Sequence, residues 1–124
     1  MKLNLFLIII LFFTGCNKLE KQEVKPSEDS LIWMKDSLGC MGKRSFELAE
    51  KLILENTLEN SSTEKFKTVF GKPNETNEDR GFTSFTYYVE SICNHDSIQK
   101  NSDKCFVVFT FKHNKLIDHN NACE

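Results

Sequence analysis

Cys93-Asn94-His95-Asp96, with Cys105 a short way downstream, is the densest run of metal-ligating and nucleophilic side chains in the chain. Two thiols, an imidazole and a carboxylate are nominally enough to hold zinc, which takes about four N, S or O ligands. Cys-x-x-Cys pairs, the common framework for such sites, do not occur. The other chemistry open to these residues is a Cys/His nucleophile, which needs a free thiol of low pKa beside its base. Both readings depend on whether the cysteines stay reduced. The chain has five of them: Cys16, Cys40, Cys93, Cys105 and Cys123. The compartment in which the protein resides therefore decides the chemistry.

The first residues speak to that compartment. Lys2 precedes the apolar run from Leu5 to Phe13, which small residues Thr14 and Gly15 close before Cys16. A basic start, a short apolar stretch and small residues before a cut site make an export signal. Nine apolar residues are too few to cross roughly 30 Å of hydrocarbon. Phe13-Thr14-Gly15-Cys16 resembles the lipobox of bacterial lipoproteins. That resemblance implies a signal peptide over residues 1–15, a lipidated Cys16 and attachment to a membrane through acyl chains. Asn17 is not the Asp that tends to hold lipoproteins in the inner membrane, so the resemblance implies the outer membrane, facing the periplasm.

An exported chain meets an oxidising space. With Cys16 assigned to the anchor, Cys40, Cys93, Cys105 and Cys123 remain, an even number that reads as two disulfides. No thiol is then spare for a nucleophile, and neither a metal nor another cofactor is expected. Cleavage before Cys16 leaves 109 residues, enough for one domain, and loss of Lys2 takes the net charge from −2 to −3. That acidity argues against a nucleic-acid partner. No phosphate loop, triad order or carboxylate pair stands out, so no enzyme and no small-molecule substrate is expected.

The elements that carry the cysteines follow from pattern. Residues 16–30 hold the lipidated cysteine and a charged stretch with Pro26, a solvated tether with about 20 Å of reach. Residues 31–124 form a single domain. Residues 31–42 are transitional, with Trp33 in the core and Cys40 pinning the stretch. Trp33…Asp36…Gly39-Cys40…Arg44 looks like the signature of a subgroup. A first helix is expected over 43–55, where Phe46, Ala49, Leu52 and Ile53 make a stripe. A second follows the capping box of Ser61-Ser62-Thr63-Glu64 and stops at Gly71, with Pro73 beyond. Residues 74–81 read as a polar connector.

The period then changes to two. Phe85, Tyr87 and Val89 alternate with Ser84, Thr86 and Tyr88 as a half-buried strand. Residues 105–112 make a second strand, His113-Asn114 a hairpin turn, and a third strand runs from Lys115 toward Cys123. The expected fold is α+β: two helices packed on a three-stranded antiparallel meander, a two-layer ααβββ domain. Setting Cys93 opposite Cys105 places Val89 opposite Phe109 and Tyr87 opposite Phe111, all on one face. This coincidence favours a Cys93–Cys105 bridge and leaves Cys40 to Cys123. Cys123 also falls next to Cys105 if the second hairpin turn has three residues. Phe82, Tyr88 and Phe106 lie on the face away from the core and are the candidate contacts for a protein partner.

Phe66…Phe70-Gly71-Lys72-Pro73, Phe85-Thr86-Tyr87-Tyr88 and Phe109-Thr110-Phe111-Lys112-His113-Asn114-Lys115-Leu116 together resemble the SmpA/OmlA lipoprotein family. The resemblance spans roughly residues 43–120. It implies a small outer-membrane lipoprotein of ααβββ fold; the best-known member is an accessory subunit of the machine that inserts β-barrel proteins. Function is then expected to be non-catalytic: binding a protein partner or supporting an envelope assembly. The fold also resembles the repeat unit of proteinaceous β-lactamase inhibitors. That second likeness implies the alternative of an inhibitor or immunity-type lipoprotein that binds a specific enzyme.

Overall fold

A computed structural model describes residues 25–124. The expected signal peptide, the lipid site Cys16 and the tether as far as residue 24 lie outside the described residues. Three helices, α1 (Glu28–Lys35), α2 (Phe46–Glu55) and α3 (Thr63–Phe70), precede six strands. These are β1 (Glu75–Asp79), β2 (Phe82–Ser91), β3 (Cys93–Asn94), β4 (Ser97–Ile98), β5 (Lys104–Lys112) and β6 (Lys115–Cys123). The main sheet is four-stranded and antiparallel in the order β1-β2-β5-β6, and β3-β4 is a separate two-stranded ribbon. The class is α+β, but the two-helix, three-strand ααβββ meander is corrected on both counts.

The extra helix, α1, begins inside the stretch read as a tether. Ser27 caps it, its Oγ accepting from the Ser30 amide at 3.2 Å, and Glu28 and Asp29 fill the first turn. Acidic side chains there favour the positive end of the helix dipole. The same charges are what make the segment look solvated, and Ser30 is buried. The extra strand, β1, lies in the supposed connector. Arg80 and Gly81 both take positive φ, 48° and 83°, the two-residue reversal that suits strand twist. All five β1 residues are exposed, so no apolar alternation announces the strand.

The other elements lie close to expectation. Ser45 caps α2 and Gly71, with φ 73°, ends α3. The cap of α3 moves by one residue: Ser62, not Ser61, accepts from the Lys65 amide. His113 and Asn114 make the second tight turn with φ 49° and 58°. The helices cover one face of the sheet. Phe85, Tyr87 and Val89 of β2 and Val107, Phe109 and Phe111 of β5 are buried there with Trp33, Leu52 and Phe66. Phe66 stacks on Phe70 at 4.4 Å and meets Phe109 at 4.7 Å and Phe111 edge-on at 5.2 Å. Each such ring contributes roughly 2–3 kcal/mol by leaving water.

The register corrects the cysteine pairing. Phe85 faces Phe109 and Tyr87 faces Val107, so as far as Tyr88 the partner of each β2 residue is displaced by four positions from the expected one. A bulge at Val89 then sets Cys105 opposite Glu90, and Cys93 has left the sheet for the ribbon. The Cys93–Cys105 and Cys40–Cys123 bridges do not form. The disulfides are Cys40–Cys93 and Cys105–Cys123. The latter joins directly opposed residues of β5 and β6. The extra residue that brings them opposite is Ile117, a bulge in β6, and not a longer turn.

Candidate functional site

Period-two alternation sends Phe82, Tyr88 and Phe106 to the sheet face away from the helices. All three are half-buried. Tyr88 and Phe106 are directly opposed across β2 and β5, whereas Phe82 pairs with Lys112 at the other end. The structure thus brings two of the three together and leaves the third roughly 20 Å along the strand, at about 3.3 Å per residue. Ser84, Thr86, Val108 and Thr110 lie between them on the same face.

Each end has its own charged flank. Lys112 Nζ sits 5.0 Å from the Phe82 ring centre and Lys104 Nζ 5.5 Å from that of Tyr88. The Tyr88 hydroxyl donates to Glu75 Oε1. That hydrogen bond, then burial and the Glu75 and Glu124 charges, push the Tyr88 phenol up to about 12. Tyr88 therefore stays neutral near pH 7. With Phe106 opposite it across the strands, Tyr88 presents an aromatic surface that a carboxylate and an ammonium flank. Aromatic rings of this kind anchor protein interfaces, since they bury large area at small entropic cost.

The residues first considered for metal or nucleophilic chemistry are dispersed. Cys93 and Cys105 enter different disulfides. His95 Nδ1 contacts Asn94 Oδ1 at 2.8 Å. His95 and Asp96 border a shallow cavity against Asp36 and Met41. Among the described residues, no group of three or more His, Cys, Asp or Glu side chains is placed to hold a metal ion. His119, on β6, is half-buried. It stacks on Phe109 and meets Glu50 Oε1 at 2.6 Å.

Asp36 and Arg44, to which the sequence pattern assigned no role, form a buried ionisable pair. Asp36 is 2% exposed and Arg44 4% exposed. Asp36 Oδ1 accepts from the Met41 amide at 3.0 Å; Oδ2 accepts from Lys43 at 2.8 Å and Arg44 at 3.2 Å. Burial alone would raise the Asp36 pKa. The three amides, with the Arg44 charge, outweigh it and hold the carboxyl below its ordinary value. The Arg44 guanidinium donates to the carbonyls of Trp33, Ser37 and Tyr88 and to Asn74 Oδ1. Burial lowers its pKa to about 10, against the pull of Asp36, so it too is charged near neutrality. It lies 4.8 Å from the Trp33 ring centre. These contacts bind the loop after α1 to the edge of β2. They engage both carboxylate oxygens of Asp36 and the Nε and Nη1 of Arg44. The grouping Trp33…Asp36…Gly39-Cys40…Arg44 is the sequence signal that marks them.

No protein-family model, curated protein or solved structure matches the chain.

Proposed function

We propose that this chain is a lipid-anchored protein of the bacterial envelope that binds another protein without catalysing a reaction. The observation that carries the binding reading is the adjacency of Tyr88 and Phe106 on the sheet face that the three helices leave uncovered. Phe82 extends the same face toward the Arg80-Gly81 turn. The anchor reading is supported by Phe13-Thr14-Gly15-Cys16 and by the distance from Cys16 to the cap Ser27, eleven residues. Random-coil scaling gives that stretch a typical span of about 18 Å. A domain so held meets its partner near the bilayer, and the outer membrane is the site we favour, with a role in supporting an assembly there.

The experiment has two arms. Radiolabelled palmitate should enter the full chain and not its Cys16→Ser variant; equal labelling of both would remove the anchor from the proposal. A photo-crosslinking residue at Phe106 should give a discrete adduct with one envelope protein, and the same residue at Lys72 should not. Identical adduct patterns at the two positions, or none at either, would refute partner binding through this face.

A further inference from the structure

The sheet has two edges, and they are not equivalent. On β6, Lys104 and Glu124 exchange both main-chain hydrogen bonds, at 2.8 and 3.0 Å. Antiparallel ladders alternate bonded and non-bonded pairs. The amides and carbonyls of Cys123, Asn121 and His119 therefore point away from β5, out of the sheet. Leu116 also points outward, and there the chain supplies its own partner. The Leu116 amide donates to Ser61 at 2.9 Å, and its carbonyl accepts from Asn60 at 3.0 Å. The loop at Asn60 and Ser61 thus covers the outward groups of Leu116. Past the Ile117 bulge, the outward row of His119, Asn121 and Cys123 has no main-chain partner among the described residues. On β1, by contrast, the tight turn at Arg80-Gly81 pairs Asp79 with Phe82, so the outward row holds just Thr76 and Glu78.

A groove of ≈ 410 Å³ adjoins this edge. Glu59, Asn60, Ile117, Asp118 and His119 line it beside the buried Ile53 and Leu116, so its surface is more polar than apolar. Ile117 is 50% exposed, a large aliphatic side chain in water beside open main-chain donors and acceptors. Glu50 adds a third carboxylate at His119. Main-chain groups that seek a strand, one exposed aliphatic side chain and carboxylates beside it specify one kind of occupant. Strand addition draws affinity from the main chain and selectivity from alternate side chains.

We propose that the free edge of β6, from His119 to Cys123, receives an extended segment of a protein partner as a fifth strand, with apolar and basic side chains alternating along it. The apolar side chains pack on the exposed Ile117. The basic ones meet Asp118 and Glu59. The inference rests on the protein-binding reading above and places the contact at the sheet edge, apart from the aromatic face.

The test uses the full chain in detergent, isotope-labelled, with a short blocked peptide of alternating Lys and Val as probe and its Glu/Val counterpart as control. The Lys/Val peptide should shift the His119 and Asn121 amide resonances saturably and slow their exchange with solvent; the Glu/Val peptide should not. Asn121→Pro removes an amide that points out of the sheet, a position where proline is tolerated on an edge. It should weaken the Lys/Val peptide about tenfold, one good hydrogen bond's worth. Glu59→Lys with Asp118→Lys should reverse the preference between the two peptides. Absence of binding, or binding that both variants leave unchanged, overturns the proposal. So does protection of the His119 and Asn121 amides before peptide is added, which would mean that the N-terminal segment or a second copy already fills the edge. Shifts confined to Phe82, Tyr88 and Phe106 would overturn the edge while leaving the protein-binding reading intact. Failure of that reading shows separately, in the crosslinking experiment.

Discussion

Asp36 and Arg44 are joined through the main chain: the Asp36 carboxylate accepts from the Arg44 amide at 3.2 Å, while the Arg44 guanidinium turns to the Trp33 carbonyl at 2.9 Å. Each side chain thereby ties down a different part of the loop, and the two charges attract each other.

Asp36 predicts an acid-dependent stability. Its carboxyl is held below the ordinary value because the amides of Met41, Lys43 and Arg44 outweigh burial. A lowered folded pKa means that the unfolded chain takes up the proton first. The stabilisation is fully present above the unfolded value of about 4 and is lost as pH falls through the folded one. Urea titrations from about pH 6 to about pH 2 should show the native chain losing more stability than Asp36→Asn. At pH 7 the variant should itself be less stable, by about 1–3 kcal/mol, because a buried amide is left without its acceptor. Parallel pH profiles for the two proteins would contradict this account.

The disulfides predict a peptide map. Digestion without reductant should yield Cys40 linked to Cys93 and Cys105 linked to Cys123, with no Cys93–Cys105 species. The bridged residues lie 53 and 18 positions apart. On the chain-entropy account, closing loops of these sizes stabilises by about 4 and about 3 kcal/mol. Chemical denaturation should therefore find the Cys40→Ala, Cys93→Ala pair more damaging than Cys105→Ala, Cys123→Ala. The reverse order would assign the difference to native packing.

Gly39 and Gly42 separate conformation from contact. Both have positive φ, 69° and 63°. A Cβ on Gly39 would lie 2.9 Å from the Val89 carbonyl carbon, and one on Gly42 would meet nothing within 4 Å. Gly42→Ala should cost about 1 kcal/mol, the left-handed penalty for an L-residue. Gly39→Ala should cost roughly 1–3 kcal/mol more, because main chain would have to move. Ser91 donates to the Gly39 carbonyl at 3.0 Å, so that movement strains the docking of the loop on β2. Thermal melts of the two variants measure the difference directly.

Phe106 and Phe109 test the two faces of β5. Phe109 is fully buried against Phe66, Phe70 and Tyr87, and Phe109→Ala should cost about 3–5 kcal/mol. Phe106→Ala should cost about 1 kcal/mol or less, as its face bears no helix. Comparable losses would mean that the second face is covered as closely as the first.

Much of the domain is legible in local pattern. Phe46, Ala49, Leu52 and Ile53 announce α2, and Gly71 with Pro73 announces the end of α3. His113-Asn114 announces its turn, because both residues tolerate positive φ. α1 and β1 are not legible for opposite reasons. The first turn of α1 carries charges that serve the helix dipole yet look like a solvated tether. β1 buries none of its side chains, so main-chain pairing, helped by the Tyr88–Glu75 hydrogen bond, holds it. The candidate contacts Phe82, Tyr88 and Phe106 are legible as a face. That Tyr88 stands opposite Phe106 while Phe82 stands apart needed the strands side by side.

From the sequence alone came the sidedness of the sheet: Phe85, Tyr87, Val89, Phe109 and Phe111 inward, Phe82, Tyr88 and Phe106 outward. Sidedness is a property of one strand, since the pleat alternates every residue. Register is a property of two strands. Displacing a partner by four positions keeps every side chain on its face, so the pattern cannot tell Phe109 opposite Val89 from Phe109 opposite Phe85. The tertiary structure decided it, through the bulges at Val89 and Ile117 and the packing of Phe66 among Phe85, Phe109 and Phe111. The partners of the four cysteines and the open edge at His119 follow from that choice.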